Sequence, residues 1–491
     1  MQTPGRHWKP WQISSAVIVA VLVLGGCSKP ARDLALRSPA QNATVGAVEV
    51  TGSIDRTVAA PGGSDRNSLP GVRAGRLSTA DLVSHVLATN PDIGIATKRE
   101  QEQTLGIELA GVGYRPKVDF TASMGPEYIA TYESEESRRN RKEIGLGLHQ
   151  TIYDFGVIDG DIRRASAAKE AASNKRFAQI EATTQETAEA LLQVLELDEQ
   201  IRVAKGNVAA HQTILDLVKT NEKDGNASVA DIKRVTTRLE NAKTSLIDLT
   251  TERSDAADSF RRLTDISADD IDGRALLSLK GGPADVSPEV LEANPALEAI
   301  RHEIVSLRAQ IDSVRAGRLP SITFDADAKI RDDVGGPTEP GLTAKAMINV
   351  QMKLIDGGEA SILERQLMTR IEEAMLKLDK QRRELKEAAE NAARLASSGG
   401  EKAESLSSRL DASRKVAELY LEQFKAGGVT IFELLDSQAD RQKAEADAIT
   451  QAYEQRRSHI QRLVLAGKLS ETLLGRSQPR PATADVSALT P

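Results

Sequence analysis

Two acidic side chains are candidates for chemistry because they follow a glycine-rich turn at helical spacing. Glu433 and Asp436 lie three positions apart, shortly after Gly427 and Gly428. Residues at this spacing share one face of a helix, so the two carboxylates concentrate negative charge and attract cations. The alternative is that Glu433 only caps its helix and that Asp436 is only solvated.

The other reactive side chains form no catalytic or metal-binding pattern. None of the six histidines has a partner at metal-ligand spacing, and the chain has neither a glycine-rich phosphate loop nor a Gly-x-Ser-x-Gly nucleophile motif. We therefore expect no enzymatic activity, no metal and no cofactor. The formal net charge of −7 also argues against nucleic acid, which requires a basic surface.

The beginning of the chain has the pattern of an export signal. Two positive residues precede an apolar run of about twelve residues, which is too short to cross a bilayer. Cys27, the only cysteine, then ends the motif Leu24-Gly25-Gly26-Cys27. This motif resembles a bacterial lipoprotein signal, which predicts cleavage after residue 26, lipid on Cys27, and transport to the outer membrane because Ser28 follows. The alternative is an ordinary signal that leaves a free thiol.

The chain repeats itself after about 202 to 204 residues. The motifs that recur in order are Asn90-Pro91 and Asn294-Pro295, Asp154-Phe155-Gly156 and Asp356-Gly357-Gly358, and the turn glycines Gly225 and Gly427. We predict two copies of one structural unit, at residues 77–275 and 276–475. Residues 27–76 are predicted to form a lipid-anchored flexible tether after the signal peptide 1–26, and 476–491 a disordered tail.

Two long stretches without proline predict very long helices, because proline breaks a helix interior. Each stretch predicts a helical hairpin, the first with helices at 157–220 and 228–263 and the second with helices at 359–425 and 430–465. The turns between the helices contain Gly225 in the first hairpin and Gly427 and Gly428 in the second. Helices of roughly 90 Å form a rod or a wall and not a globule.

Period-two patterns before each hairpin predict two pairs of strands, 120–125 with 144–152 and 322–330 with 346–354. The segments between them, 127–142 and 331–341, are charged or rich in Gly and Pro and are predicted to be loops. Strands of this length cross a membrane when tilted, but four strands cannot close a barrel, and lipid does not tolerate an open sheet edge. Other copies of the chain must supply the closure. The alternative is an amphipathic sheet that lies on a soluble domain.

These duplicated motifs resemble those of the TolC-like outer membrane factors of tripartite efflux pumps and type I secretion systems, over residues 77–474. The resemblance implies a mainly α fold with membrane β, in which a duplicated unit combines long helical hairpins with four strands. It implies a homotrimer whose 12-stranded barrel is continuous with a helical periplasmic tunnel. It also implies a passive duct that works with a periplasmic adaptor protein and an inner membrane transporter and contacts outer membrane lipid.

The same resemblance assigns roles to the turn regions of the hairpins. Gly225, Gly427 and Gly428 correspond to turns at the periplasmic tip, and Glu433 and Asp436 to acids that ring its narrow entrance, six carboxylates in a trimer. These roles are carried over by position in the motif.

The resemblance does not predict which contacts hold the periplasmic tip closed. Family members use a tyrosine before the turn and an arginine after the glycine, whereas Phe424 and Val429 occupy those places here and make no such polar links. Asp231 is a candidate acid partner. The sequence leaves open how this tip is held closed.

A periplasmic adaptor lipoprotein is the second hypothesis, because adaptors also carry helical hairpins. An adaptor has one hairpin flanked by β-rich domains, whereas this chain predicts two hairpins and only four long strands. An enzyme on a helical scaffold is the third hypothesis, and no motif supports it.

The lipoprotein pattern makes one prediction that is independent of the fold. Cys27→Ser should stop processing at this site, because the lipid is attached through the cysteine sulfur. Mass spectrometry of the mature wild-type protein should find a lipid-modified terminus at Cys27. An unmodified terminus downstream of residue 27 would show that the signal is an ordinary one.

Overall fold

The computed structural model describes residues 76–131, 134–279, 286–334 and 340–476. The predicted signal peptide, Cys27, the tether up to residue 75 and the tail from residue 477 lie outside the described residues. The two predicted repeats lie almost entirely within them.

Two copies of one helical plan make up the described chain. The first copy contains α1 (Thr79–Thr89), α2 (Pro91–Gly111), α3 (Val157–Lys223) and α4 (Val229–Thr264), and the linker after it contains α5 (Arg274–Leu277). The second copy contains α6 (Pro288–Glu292), α7 (Pro295–Ala316), α8 (Glu359–Lys425) and α9 (Ile431–Leu465), followed by α10 (Leu469–Leu474). Both α3 and α8 have 67 residues, or about 100 Å, which confirms the two predicted hairpins.

Four antiparallel strands form one sheet that joins the two copies. Two short strands, β1 (Leu77–Ser78) and β4 (Ile271–Asp272), pair in parallel elsewhere. The sheet contains β2 (Lys117–Thr131), β3 (Ser134–Tyr153), β5 (Ser321–Asp332) and β6 (Gly341–Gln351), in the order β2-β3-β5-β6. The two copies therefore meet where β3 pairs with β5, and β2 and β6 are the edges.

The predicted loop at 127–142 is wrong, because most of it continues β2 and β3 as a long hairpin. Its charges suggested a solvated loop, but they form ion pairs on the strands. Arg141 lies 2.7 Å from Glu127 on the neighbouring strand and 2.7 Å from Glu143. The prediction for the second pair is closer, since β5 ends at Asp332 and β6 begins at Gly341, although β6 begins earlier than predicted.

The sheet has one apolar and one polar face. Side chains of the apolar face are more than half exposed in the single chain, and they include Val118, Phe120, Met124, Ile144, Leu146, Ile330, Leu342, Ile348 and Val350. The opposite face carries cross-strand polar pairs, such as His149 with Asp325 at 2.6 Å and Lys345 with Asp327 at 3.2 Å. An exposed apolar face of this kind marks a surface that contacts another protein or a membrane.

The recurring Asn-Pro motifs begin the helices that lead into the strands. Asn90 and Asn294 are N-caps whose side-chain oxygens accept hydrogen bonds from the backbone of Asp92 and Ala296, each at 2.9 Å. The following proline occupies the first turn, where its missing N–H removes no helical hydrogen bond. The motif thus fixes where each of these helices starts.

The recurring aspartates begin the long helices in the same way. The side chain of Asp154 accepts hydrogen bonds from the backbone N–H groups of Gly156 and Ile158, and the side chain of Asp356 accepts them from Gly358 and Ala360. These bonds lower the pKa of Asp356. The turn needs two consecutive left-handed residues; the second copy uses two glycines, whereas the first has Phe155 with φ of 56° before Gly156.

The helices nearest the sheet form a layer with two open edges. Helix α2 contacts α3, α3 contacts α7, and α7 contacts α8. Apolar side chains remain exposed on both outer helices, Ile95, Leu105 and Leu109 on α2 and Ile362, Met368 and Leu376 on α8. The first and last helices of this layer along the chain, α2 and α8, are therefore its edges, just as the first and last strands, β2 and β6, are the edges of the sheet.

A buried carboxylate ties the end of the described chain to the long helix of the first copy. Glu181 is 3% exposed, and it accepts hydrogen bonds from the backbone N–H groups of Leu469 and Ser470 at 2.9 and 3.1 Å and from the Ser470 hydroxyl. Leu469 belongs to the main apolar cluster, which joins α1, α3, α9 and α10. The Glu181 carboxylate thus supplies the hydrogen-bond acceptors that the first N–H groups of α10 lack within their own helix.

No helix among the described residues is both long enough and apolar enough to cross a membrane.

Removal of the Glu181 carboxylate should destabilise the fold. In Glu181→Ala the buried N–H groups of Leu469 and Ser470 lose their acceptor, and we expect a loss of about 3 kcal/mol in the free energy of unfolding. The measurement is thermal unfolding followed by circular dichroism, with limited proteolysis to detect release of α10. Glu186→Ala, which changes an exposed carboxylate on the same helix, is the control and should leave both readouts unchanged.

Candidate functional site

Both helical hairpins end in the same kind of turn. Gly225 and Gly427 follow α3 and α8 with φ of 79° and 78°, the left-handed conformation that favours glycine. The next residue then donates a hydrogen bond back into the helix, Asn226 to Asn221 at 2.7 Å and Gly428 to Gln423 at 2.8 Å. Since asparagine takes the place of Gly428 in the first copy, only Gly225 and Gly427 require glycine.

The acid that follows each turn is part of a capping box. Glu433 accepts hydrogen bonds from the backbone N–H and the hydroxyl of Thr430, both at 2.8 Å, and its own N–H donates to that hydroxyl. Ser228 and Asp231 form the equivalent box in the first copy. Both capping boxes are therefore complete, and the shorter Asp231 completes its box as fully as Glu433 does.

Hydrogen bonds lower the pKa of both capping acids. For Glu433 the backbone N–H of Thr430 is the main cause, and for Asp231 it is the Ser228 hydroxyl. A lowered pKa means that the cap stabilises the fold above the pKa of the unfolded chain and loses this effect as the pH falls through the lowered value. Glu433 is thus ionised at neutral pH, although it is exposed and already hydrogen-bonded.

Asp436 has a different environment from Glu433. Its side chain is 72% exposed, and its carboxylate lies 3.9 Å from the guanidinium of Arg238 on α4. The structure therefore places both acids on the first turns of α9, but it gives each its own partner. Glu433 binds its own helix end, and Asp436 faces the first hairpin.

An apolar cluster holds the ends of the two hairpins together. Ile431, Leu434 and Leu435 of α9 are buried, and they pack with Ile214, Leu215 and Val218 of α3 and Val235 and Leu239 of α4. Phe424 lies partly buried against this cluster, where the family pattern has a tyrosine. We call these cluster residues, with both turns, the hairpin tip.

Two arginines on α4 connect the hairpins at the surface of the tip. The guanidinium of Arg234 lies 3.5 Å from the ring centroid of Phe432, and Arg238 pairs with Asp436. Arg234 also lies 3.6 Å from Asp231. These contacts occur between residues that the sequence prediction did not select as partners. Arg234 and Arg238 are one helical turn apart, but only the fold reveals that Phe432 and Asp436 face them.

A buried polar layer lies next to the tip cluster. The Asn207 amide donates to Gln442 at 2.6 Å, and His211, only 4% exposed, contacts the backbone oxygen of Asn207 at 2.9 Å. Burial lowers the pKa of His211, and the nearby charges of Arg238 and Arg441 lower it further. This histidine is a neutral structural side chain of α3, and the bond from Asn207 to Gln442 joins α3 to the second hairpin.

Comparison with known proteins identifies the family of the chain. The model of the outer membrane efflux protein family matches residues 82–264 and 286–467, one match in each copy. A probable efflux pump outer membrane protein, SepC of Pseudomonas putida, is 26% identical over 136 residues, which are 26% of this chain and 28% of the relative. A pyoverdine export outer membrane protein, OpmQ of Pseudomonas aeruginosa, is 22% identical over 258 residues, 50% of this chain and 54% of the relative. The matches thus span about a quarter to a half of the length of these relatives.

The fold is also that of known outer membrane channels. The crystal structure of the Campylobacter jejuni CmeC outer membrane channel has a TM-score of 0.70 and 14% sequence identity, and the alignment covers 80% of this chain and 86% of that one. At this identity the likeness establishes the fold. Because the family model covers both copies, the chain belongs to the outer membrane efflux protein family.

Proposed function

We propose that the protein is a passive exit duct of the outer membrane, which works in a tripartite efflux pump or a type I secretion system. The observation that carries the proposal is that one chain has open edges in both its sheet and its helical layer. In this proposal an inner membrane transporter supplies the energy, and a periplasmic adaptor protein bridges the two. SepC and OpmQ are named for efflux and for export, which favours an efflux pump.

The open sheet edges support assembly of several chains in a membrane. Strands β2 and β6 are the edges, and the apolar face between them is exposed. In lipid every backbone N–H and C=O group at an edge needs a partner, so β6 of one chain pairs with β2 of the next. Three copies give the twelve strands that the family resemblance implies, and a head-to-tail ring of this kind leaves no edge.

The helical layer closes in the same direction as the sheet. Helix α2 lies at the β2 side of the chain order and α8 at the β6 side, and both expose apolar side chains. In a ring, α8 of one chain packs against α2 of the next, so that the apolar side chains exposed on both helices become buried. One head-to-tail interface thus covers the edges of both layers.

The polar face of the sheet suits the lining of a water-filled passage. Glu143 binds Arg141, Lys329 and Arg331 within 3.3 Å, and Asp325 binds His149 and Asn349. With the apolar face toward lipid, these groups face the interior, where ion pairs remain hydrated. The duct is passive in this proposal and has no enzymatic activity.

The proposed location is the outer membrane, with a lipid anchor at Cys27 and a periplasmic extension made of the two hairpins. The runner-up hypothesis, a periplasmic adaptor lipoprotein, finds no support, because the described residues contain two hairpins and the four long strands share one sheet. The family match is also to an outer membrane component.

Within this proposal Glu433 and Asp436 form the gate at the periplasmic tip. Both lie beside the turn of the second hairpin, and Glu433 is ionised at neutral pH. In a trimer they supply six carboxylates around the axis. Arg238 and Arg234 connect this segment to the first hairpin, in place of the polar links that Phe424 and Val429 cannot make.

Assembly can be tested by placing a charge on the helical edge. Leu105→Asp on α2 should prevent trimer formation, because the aspartate would be buried without a partner in the interface. Leu105→Met, which keeps an apolar side chain of similar size, should assemble normally. The measurement is extraction of the outer membrane fraction followed by electrophoresis in SDS with and without heating. A wild-type protein that is a monodisperse monomer in mild detergent contradicts the proposed architecture.

The gate can be tested by removing its charges while keeping the cap. Glu433→Gln with Asp436→Asn retains a side chain that completes the capping box but removes six charges from a trimer. Wild-type channels in planar bilayers should show low conductance, cation preference and block by divalent or trivalent cations from the periplasmic side. The double variant, like Glu433→Ala with Asp436→Ala, should lose this block.

Two further variants test whether the metal block depends on the charge of these two acids. Arg238→Ala removes the positive partner of Asp436, so the block should become tighter. Asp231→Asn changes the equivalent capping acid of the first hairpin and should leave the block unchanged. If the double variant keeps the metal block and ion preference of the wild type, Glu433 and Asp436 are only capping and surface residues.

A further inference from the structure

A cavity of about 520 Å³ lies on the polar face of the sheet, where the strands meet the ends of the helices. Its sheet side consists of residues that share the polar face of the four strands, Lys117, His149, Thr151, Ser321, Thr323 and Gln351. Its helix side includes Val157 and Ile158 at the start of α3 and Leu319 after α7. We call this cavity the junction recess.

Equivalent residues of the two copies meet in the junction recess. The repeats that relate Asn90 to Asn294 and Asp154 to Asp356 also relate four pairs of lining residues, Arg115 and Leu319, Lys117 and Ser321, His149 and Gln351, and Thr151 and Lys353. In each pair one copy has a basic side chain and the other a neutral one. The fold therefore accepts a neutral side chain at each of these places, and packing alone does not explain the cations.

The cations of the recess lack the acidic partners that other cations of the same face have. Among the described residues Arg115 and Lys117 form no ion pair, and Lys353 reaches only Glu359, at 4.0 Å. Farther along the sheet the cations are paired: Lys329 and Arg331 bind Glu143, and Lys345 binds Asp327. The recess is thus the part of the polar face where positive charge is not neutralised.

The acids close to the recess are engaged elsewhere. Asp154, the only acid among its described lining residues, is 6% exposed and caps the start of α3 with both oxygens. Asp325 binds His149 at 2.6 Å and accepts two further hydrogen bonds. Asp119 shares the polar face of β2 but does not line the recess. A ligand that carries negative charge would therefore meet cations without competition from these acids.

Closure of the proposed ring leaves the recess open and positive. Neighbouring chains join through the edges of the sheet, so its polar face still borders the passage. The polar face of β6, which lies beside β2 of the next chain, carries no acid, since its residues are Thr343, Lys345, Met347, Asn349 and Gln351. The neighbouring strand therefore offers Lys117 no acidic partner.

The chemistry of the lining residues suits an organic anion. The guanidinium of Arg115 presents paired N–H donors that match a carboxylate, and the ammonium groups of Lys117 and Lys353 add positive charge. Val157, Ile158 and Leu319 supply an apolar wall beside these cations. A cavity of this volume, with apolar walls and a few polar groups, has the size of small-molecule sites.

We propose that the junction recess binds small organic anions, with Arg115, Lys117 and Lys353 on the acidic group and the apolar wall on the body of the molecule. The gate acids do not neutralise it, because α3 separates the recess from the hairpin tip by about 100 Å, far beyond the range of screened charges. That exported molecules pass the recess rests on the proposed function, and organic anions are then the class of cargo that the duct holds at this point.

Equilibrium dialysis of naphthoate against the full-length protein in neutral detergent at low salt tests the site without a channel assay. The wild type should bind one naphthoate per chain, and it should bind naphthamide, the neutral counterpart, at least about tenfold more weakly. Arg115→Leu with Lys117→Ser gives the first copy the side chains of the second, and Lys353→Thr gives the second copy that of the first. Each variant should weaken naphthoate binding by about fivefold or more.

Lys345→Gln is the matched control, because it removes a cation from the same polar face outside the recess. It should leave naphthoate binding unchanged, and it corrects for the net charge of the protein and for naphthoate in the detergent. Equal affinity of the wild type for naphthoate and naphthamide overturns the site. Affinity that both recess variants leave unchanged, or that Lys345→Gln lowers as much as they do, also overturns it.

Bilayer recordings of the same proteins separate the site from the proposed function. Naphthoate should lower the single-channel conductance of the wild type and of Lys345→Gln, but not that of the recess variants. Naphthoate binding by a wild-type protein that forms no channel leaves the site valid and contradicts the duct. Normal channels without naphthoate binding leave the duct valid and overturn the site. Binding that leaves the conductance unchanged contradicts a recess on the path of the cargo.

Discussion

The proposed assembly depends on one constraint, which is that a backbone in lipid must have all its hydrogen bonds paired. A chain of this fold carries four strands, so it cannot meet the constraint alone, and the two edges β2 and β6 need each other. The helices have the same edges, because α2 leads into β2 and α8 follows β6, and both keep apolar side chains exposed in the single chain. In the proposed ring the subunit is therefore a segment of a larger closed wall, and its stability is inseparable from assembly.

The duplicated chain allows the two halves to differ while the wall stays regular. The repeated motifs place caps and turns at equivalent points, Asn90 with Asn294 and Asp154 with Asp356. The differences lie between these points: the single chain buries 25 of the 67 residues of α3, at the centre of the helical layer, and 7 of the 67 residues of α8, at its edge. In the proposed ring the next chain covers apolar side chains of α8 that the single chain leaves exposed.

Much of the fold could be predicted from the sequence, because its signals are local. Proline-free stretches, capping residues and left-handed glycines act on their own neighbourhood, and the predicted helices agree with α3, α4, α8 and α9 within a few residues. The extent of β2 and β3 could not be predicted, because Glu127 and Arg141 look like loop charges until their strands are paired. The contacts of Arg234 with Phe432 and of Arg238 with Asp436 could not be predicted either, because the sequence does not show which faces of two helices pack together. The roles of Glu433 and Asp436 at a gate, and of Cys27 as an anchor, stay predictions.

Phe155 stands where the second copy has a glycine, and its left-handed backbone costs of the order of 1 kcal/mol. Its ring meets that of Tyr153 edge to face, with 4.7 Å between centroids, and both rings are about half exposed. The pair lies where β3 ends and α3 begins. Aromatic rings at such a boundary prefer the headgroup zone of a bilayer to either water or hydrocarbon. In the proposed ring, three such pairs form a belt of aromatic rings at the end of the sheet that adjoins the helices. This belt sets the depth of the sheet in the membrane and resists movement of the protein along the membrane normal.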